Sequence, residues 1–125
     1  MSKLLITGWA MYLISFALPI MEDSWGFSAF RVYLEAIANF DQEDYLFVLA
    51  VNLSNAVMIL SPLIFSRRSP QILGALVFAG GLINTRFLWM EEPENLWKLF
   101  PAYYVWWLSF FVTGVALWRT PAART

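Results

Sequence analysis

Four long apolar runs organise the chain, at residues 4–21, 45–65, 71–90 and 99–118, and Arg86 is the one charged residue inside any of them. Each is about 18–21 residues long, or roughly 27–31 Å as helix at 1.5 Å per residue, matching a hydrocarbon core about 30 Å thick. A soluble four-helix bundle would need Glu, Lys or Arg at helical spacing along an outer face of every run, and that pattern is missing. The pattern therefore predicts an all-α, polytopic membrane protein. One domain, residues 1–125, holds four transmembrane helices.

The connection between the first two runs, residues 22–44, is too long for a bare turn and carries a pattern of its own. Phe27, Phe30, Leu34 and Ile37 fall at i, i+3, i+7 and i+10 on one helical face, with Ser28, Arg31 and Glu35 off that stripe. An amphipathic helix over about residues 26–40 is expected, lying along the outer interface or over the mouth of the bundle, with Asp23 or Ser24 as its cap. The first run is expected to be retained rather than cleaved. It exceeds a signal peptide's apolar region of about 7–15 residues, and Pro19-Ile20-Met21-Glu22 is a poor cleavage site.

Composition agrees with lipid as the solvent: 60% of residues are hydrophobic and 14% charged, against roughly 45–50% and about 25% in soluble domains. The charges are segregated. Lys3, Arg67, Arg68, Arg119 and Arg124 fall on one side of the four runs, and Arg31 and Lys98 on the other together with all nine acids. Basic residues set orientation, so both termini are expected on the cytoplasmic side. Trp25, Trp89 and Trp97 fall at the outer boundary and Trp118 at the inner one, where rings with a polar tip are favoured. Ser69-Pro70 reads as a helix start, and Pro101 would serve the last helix similarly.

Cysteine and histidine are absent, which removes disulfides, thiol relays, thiolate and imidazole metal sites and His-dependent triads. No Asp, Glu or Lys lies within a run, so a membrane carboxylate relay has no candidate. Glu91, Glu92 and Glu94 surround Pro93, but sequence proximity alone does not make oxygens converge on a cation. No cofactor, metal or enzymatic activity is expected, and no nucleic acid partner.

What remains is polar residues in the spans, each of which is costly unless paired. Asn52 and Asn55 are three apart on the second helix, Asn84 lies at a similar depth on the third beside Gly80 and Gly81, and Ser15 and Ser109 reach about the same level. Arg86 is about 200° around the helix from Asn84 and shallow enough to snorkel outwards, towards Glu22, Asp23 or Glu91. Ser15, Asn52, Asn55, Asn84, Arg86 and Ser109 are therefore the candidates for ligand binding or helix contact. They form either a set of interhelical hydrogen bonds with an Arg86 strut, or an outward pocket for an anionic headgroup or small polar ligand.

Phe16-Ala17-Leu18-Pro19, Trp25-Gly26-Phe27-Ser28-Ala29-Phe30 and Tyr103-Tyr104-Val105-Trp106-Trp107-Leu108-Ser109 resemble motifs of small uncharacterised bacterial four-helix inner-membrane proteins. The resemblance implies a bacterial inner membrane and brings no activity or site residues with it. Small multidrug exporters, which use a carboxylate in the first helix, and thiol-oxidising four-helix enzymes, which need cysteines, do not fit. The expected function is association, as an accessory subunit or a regulatory or immunity-type factor of a membrane complex, with the lipid bilayer and a membrane-protein partner or second copies of the chain as partners. The alternatives are a small oligomeric transporter or channel, or a lipid-headgroup binder.

Overall fold

The first apolar run leaves the helix well before its end. Pro19 has no N–H to donate, and its ring disfavours helical backbone at the residue before it. Helix α1 accordingly spans Lys3–Ser15. Beyond it, Phe16, Ala17 and Leu18 donate to carbonyls three residues back, tightening the chain into a turn. Pro19–Ile20 (β1) then pairs antiparallel with Ser24–Trp25 (β2). The expected 4–21 helix is corrected to 13 residues plus a turn.

The computed structural model describes residues 3–20, 24–39, 41, 43–62, 69–90, 93–99 and 101–121, and these are mostly helical. After β2 come α2 (Gly26–Glu35), a 3-10 turn (Ala36–Ala38), α3 (Tyr45–Leu60), α4 (Pro70–Asn84), the short α5 (Phe87–Met90), a 3-10 segment (Pro93–Leu99) and α6 (Ala102–Trp118). Pro70 opens α4 as expected, but Ser69 at its N-cap makes no side-chain capping bond. Pro101 sits one position earlier than expected, at the N-cap of α6. Residue 25, not Ser24, precedes α2, and it too makes no side-chain cap. Asp23 lies outside the described residues, as do Glu22, Glu91, Glu92 and residues 63–68.

By length and composition, Pro70–Met90 is the one described helical stretch long and apolar enough to cross a membrane; α1, α3 and α6 are apolar but shorter. At 13, 16 and 17 residues they rise about 20, 24 and 26 Å.

Helix α6 is the axis of the molecule, packing along both α1 and α4, while α3 packs on the far side of α4. Small residues allow the close approach. A Cβ on Gly74 would stand 2.8 Å from both the Gly114 oxygen and the Trp118 nitrogen, and one on Gly8 would stand 2.1 Å from Thr113 Oγ1. Backbone atoms at the first site cannot swing aside. Beneath this crossing Leu5, Met58, Leu73, Val77, Phe110, Ala116 and Leu117 form the apolar core.

The fourth side of the bundle is different. Helices α1 and α3 do not pack closely backbone to backbone; long side chains span the gap instead. Tyr12 OH donates to Asn55 Oδ1 at 2.7 Å, and Trp9 Nε1 donates to Ser61 Oγ at 2.7 Å.

Overpacking the α4–α6 crossing should be costly. Gly74→Val is expected to lower stability by about 1–3 kcal/mol, read as a drop in the thermal unfolding midpoint in detergent; an unchanged midpoint would show that the two helices do not meet at this residue.

Candidate functional site

At the end where α1 stops, the gap between α1 and α3 opens into a cavity that α2 also lines. The position of α2 is fixed by hydrogen bonds at both ends. Gly26 N donates to Leu18 O at 2.8 Å and Phe27 N to Phe16 O at 3.0 Å, while a Cβ on Gly26 would stand 2.1 Å from the Ser15 oxygen, so only glycine lets the chain pass here. Further along, Asn52 Nδ2 donates to Tyr33 O at 2.9 Å, and Tyr45 OH donates to Ile37 O at 2.7 Å just beyond the helix.

Between α2 and the bundle lies a cavity of about 300 Å³. Rings from all sides but α3 face it: Phe16 just after α1, Phe30 and Tyr33 of α2, Phe87 of α5, and Tyr103 and Trp106 of α6. They meet mostly edge to face, with Phe16–Phe30 centroids 5.3 Å apart, Tyr33–Phe87 5.2 Å and Phe87–Tyr103 5.8 Å, the arrangement preferred by ring quadrupoles. Among the described residues, no charged one lines the cavity.

The expected α2 stripe is turned relative to the sequence reading. Gly26, Ala29, Phe30 and Tyr33 face the cavity. Phe30 and Ile37 are half-buried, whereas Phe27 and Leu34 are exposed, together with Trp25 and Val32. Phe27 instead stacks on Phe30, with centroids 6.5 Å apart. The face shifts because aromatic Tyr33, off the 27–30–34–37 stripe, is the residue that reaches Phe47 and Phe87. Arg31 and Glu35 form an exposed i,i+4 ion pair at 2.9 Å, and the carboxylate raises the guanidinium pKa. Such exposed pairs contribute little to stability.

The polar candidates divide into three groups. Ser15 and Asn55 lie in the cavity wall. Asn55 Oδ1 accepts both Tyr12 OH at 2.7 Å and Trp106 Nε1 at 3.0 Å, and its Nδ2 donates to Val51 O at 3.2 Å. Ser15 Oγ donates to Tyr12 O. Asn84 is fully buried away from the cavity. Its Nδ2 donates to Ser54 Oγ at 2.9 Å, its backbone carbonyl accepts Tyr103 OH at 2.7 Å, and its Oδ1 has no hydrogen-bond partner among the described residues. Ser109 is likewise buried and donates to Trp106 O. Asn52 spends both amide hydrogens on Tyr33 O and Val48 O, tying α2 to α3.

Arg86 belongs to none of these groups. Its Nη2 lies 3.0 Å from Asp44 Oδ1 and its guanidinium carbon 4.6 Å from the Phe47 ring centroid, so it joins the turn after α4 to the start of α3. It is a strut, and its partner is an acid that the sequence did not single out. The sequence also gave no weight to Tyr12, Trp106 and Tyr103, because aromatic residues in a span read as bilayer packing. Their spacing of Tyr103 and Trp106 one turn apart on α6 is the one signal that would have marked them.

A second hollow, about 400 Å³, runs along α4 and α6 beside Gly74 and Gly114, edged by Phe78, Leu82 and Trp118. Apart from the indole of Trp118, its described lining side chains are apolar. Among the described residues no group of His, Cys, Asp or Glu is placed to hold a metal ion.

No protein-family model matches the chain, and neither a curated protein nor a solved structure matches it.

Replacing Asn55 with leucine leaves two buried donors, Tyr12 OH and Trp106 Nε1, without their acceptor. A loss of about 1–3 kcal/mol is expected, read by denaturant unfolding followed through tryptophan fluorescence. Adding Tyr12→Phe to Asn55→Leu should cost less than the sum of the two single changes; strict additivity would mean that the two side chains do not interact.

Proposed function

We propose that the chain is a four-span inner-membrane protein with both termini cytoplasmic, which acts without catalysis by association, as an accessory or regulatory subunit of a membrane complex. The observation that carries the non-catalytic reading is the state of the site's polar groups. Ser15, Asn55, Tyr103, Trp106 and Ser109 are each engaged in a bond within the bundle, and neither Ser15 nor Ser109 contacts a base among the described residues. Groups held this way fix a shape. Nucleophilic catalysis needs a nucleophile within hydrogen-bond reach of a base, and this site offers none.

The membrane part of the reading is supported by the apolar surface of the bundle. Leu46, Leu53, Ile72, Leu82 and Leu13 point outwards, each more than half exposed, which suits lipid contact rather than water. Helices shorter than about 30 Å are accommodated by thinning of the bilayer or by flanking residues that reach the interface. Exposed Trp25, Trp89 and Trp118 suit such boundary positions. A pore through a single copy is disfavoured by the apolar core below Asn55, where Leu5, Met58, Val77 and Phe110 meet.

The absence of cysteine makes topology directly testable. Ser28→Cys should react with a membrane-impermeant maleimide on intact spheroplasts, and Pro121→Cys should react only after lysis. Labelling of both, or the reverse order, overturns the orientation. For association, a tagged chain extracted in mild detergent should co-purify with a fixed partner or with further copies of itself; a lone monomer at every detergent ratio would overturn that part.

A further inference from the structure

We propose that the cavity beneath α2 holds one acyl chain of a bilayer phospholipid. This rests on the membrane-spanning part of the reading above but not on association with a protein partner.

The cavity is too large to be a packing defect: an apolar void of about 150 Å³ already suffices for benzene, and this one is about 300 Å³. Left empty, its ring-lined wall would forgo dispersion contacts over its whole surface. Water is a poor occupant, since a stable buried water needs two to four polar partners. Four of the five polar side chains among its described lining residues are turned to the protein: Ser15 Oγ to Tyr12 O, Tyr103 OH to Asn84 O, Trp106 Nε1 to Asn55 Oδ1, and Asn55 Nδ2 to Val51 O. What faces the space is chiefly ring and methyl surface.

The same wall decides between the parts of a lipid. With no cation among its described lining residues, and with Arg86 held by Asp44 outside it, an anionic headgroup finds no counter-charge from them. A hydrocarbon chain needs none. Two of the lining residues, Val32 of α2 and Met90 of α5, are 61% and 46% exposed, so the cavity reaches the surface between these helices. That mouth lets a chain enter sideways while its headgroup stays outside.

Ala29 lines the cavity from α2, and a larger side chain there would occupy the space in place of the ligand. The purified full-length chain is exchanged into detergent micelles with and without dioleoyl phosphatidylethanolamine and examined by native mass spectrometry and thermal unfolding. Wild type is expected to retain one phospholipid and to show a higher midpoint when lipid is present. Ala29→Phe should lower retention at least tenfold and abolish the lipid-dependent rise in midpoint; Leu53→Phe, on the exposed side of α3, should leave both unchanged. If Ala29→Phe does not fold, Ala29→Leu decides, with retention reduced several-fold. Equal retention in wild type and the Ala29 variant overturns the proposal. So does a wild type that retains no lipid and shows no shift, or one that retains free fatty acid instead of phospholipid. The maleimide pattern does not involve the cavity, so a failed topology and a failed lipid site give different results.

Discussion

The side-chain oxygen of Asn55 is the point on which the half of the molecule beneath α2 depends. Two donors from two other helices, Tyr12 of α1 and Trp106 of α6, converge on it, and it stands on α3, which α1 does not otherwise approach closely. In a low-dielectric interior a shared acceptor of this kind is stronger than in water, and its loss leaves both donors stranded. The bond is long-range in the chain and short in space. It lets α1 and α3 stand apart without separating, and that separation is why a cavity exists.

Much of the architecture could be read from the pattern of apolar runs, because a helix in an apolar surrounding must satisfy its own backbone and announces itself by composition. Helices α3, α4 and α6 start close to where their runs begin. The boundary of α1 was legible only through Pro19, and a run of uncharged residues drowned that signal. The chain after Ser15 is apolar not because it spans further, but because it folds back as a turn and a strand pair against α2.

The site was legible in part. Asn55 and Ser15 stood out because an amide or hydroxyl in an apolar run requires a partner, and both do line the cavity. The remaining polar candidates sit at similar depth but serve separate pairs of helices: Asn52 joins α2 to α3, and Asn84 meets Ser54 and Tyr103. Depth can be counted from a sequence, whereas azimuth around a bundle depends on which helices are neighbours. The aromatic donors that complete the network were hidden by their dual character, since a tryptophan buried for its ring and one placed for its N–H look alike in a sequence.

The way α2 is moored has a bearing on what fits beneath it. Its start is fixed by backbone bonds to residues 16 and 18, its middle by Asn52, and the turn beyond it by Tyr45. A roof secured along its length has a set clearance above the floor. It acts as a gauge of width: over a space of about 300 Å³ it admits a segment of a single unbranched hydrocarbon chain and stops a bulky or multiply branched one at the entrance.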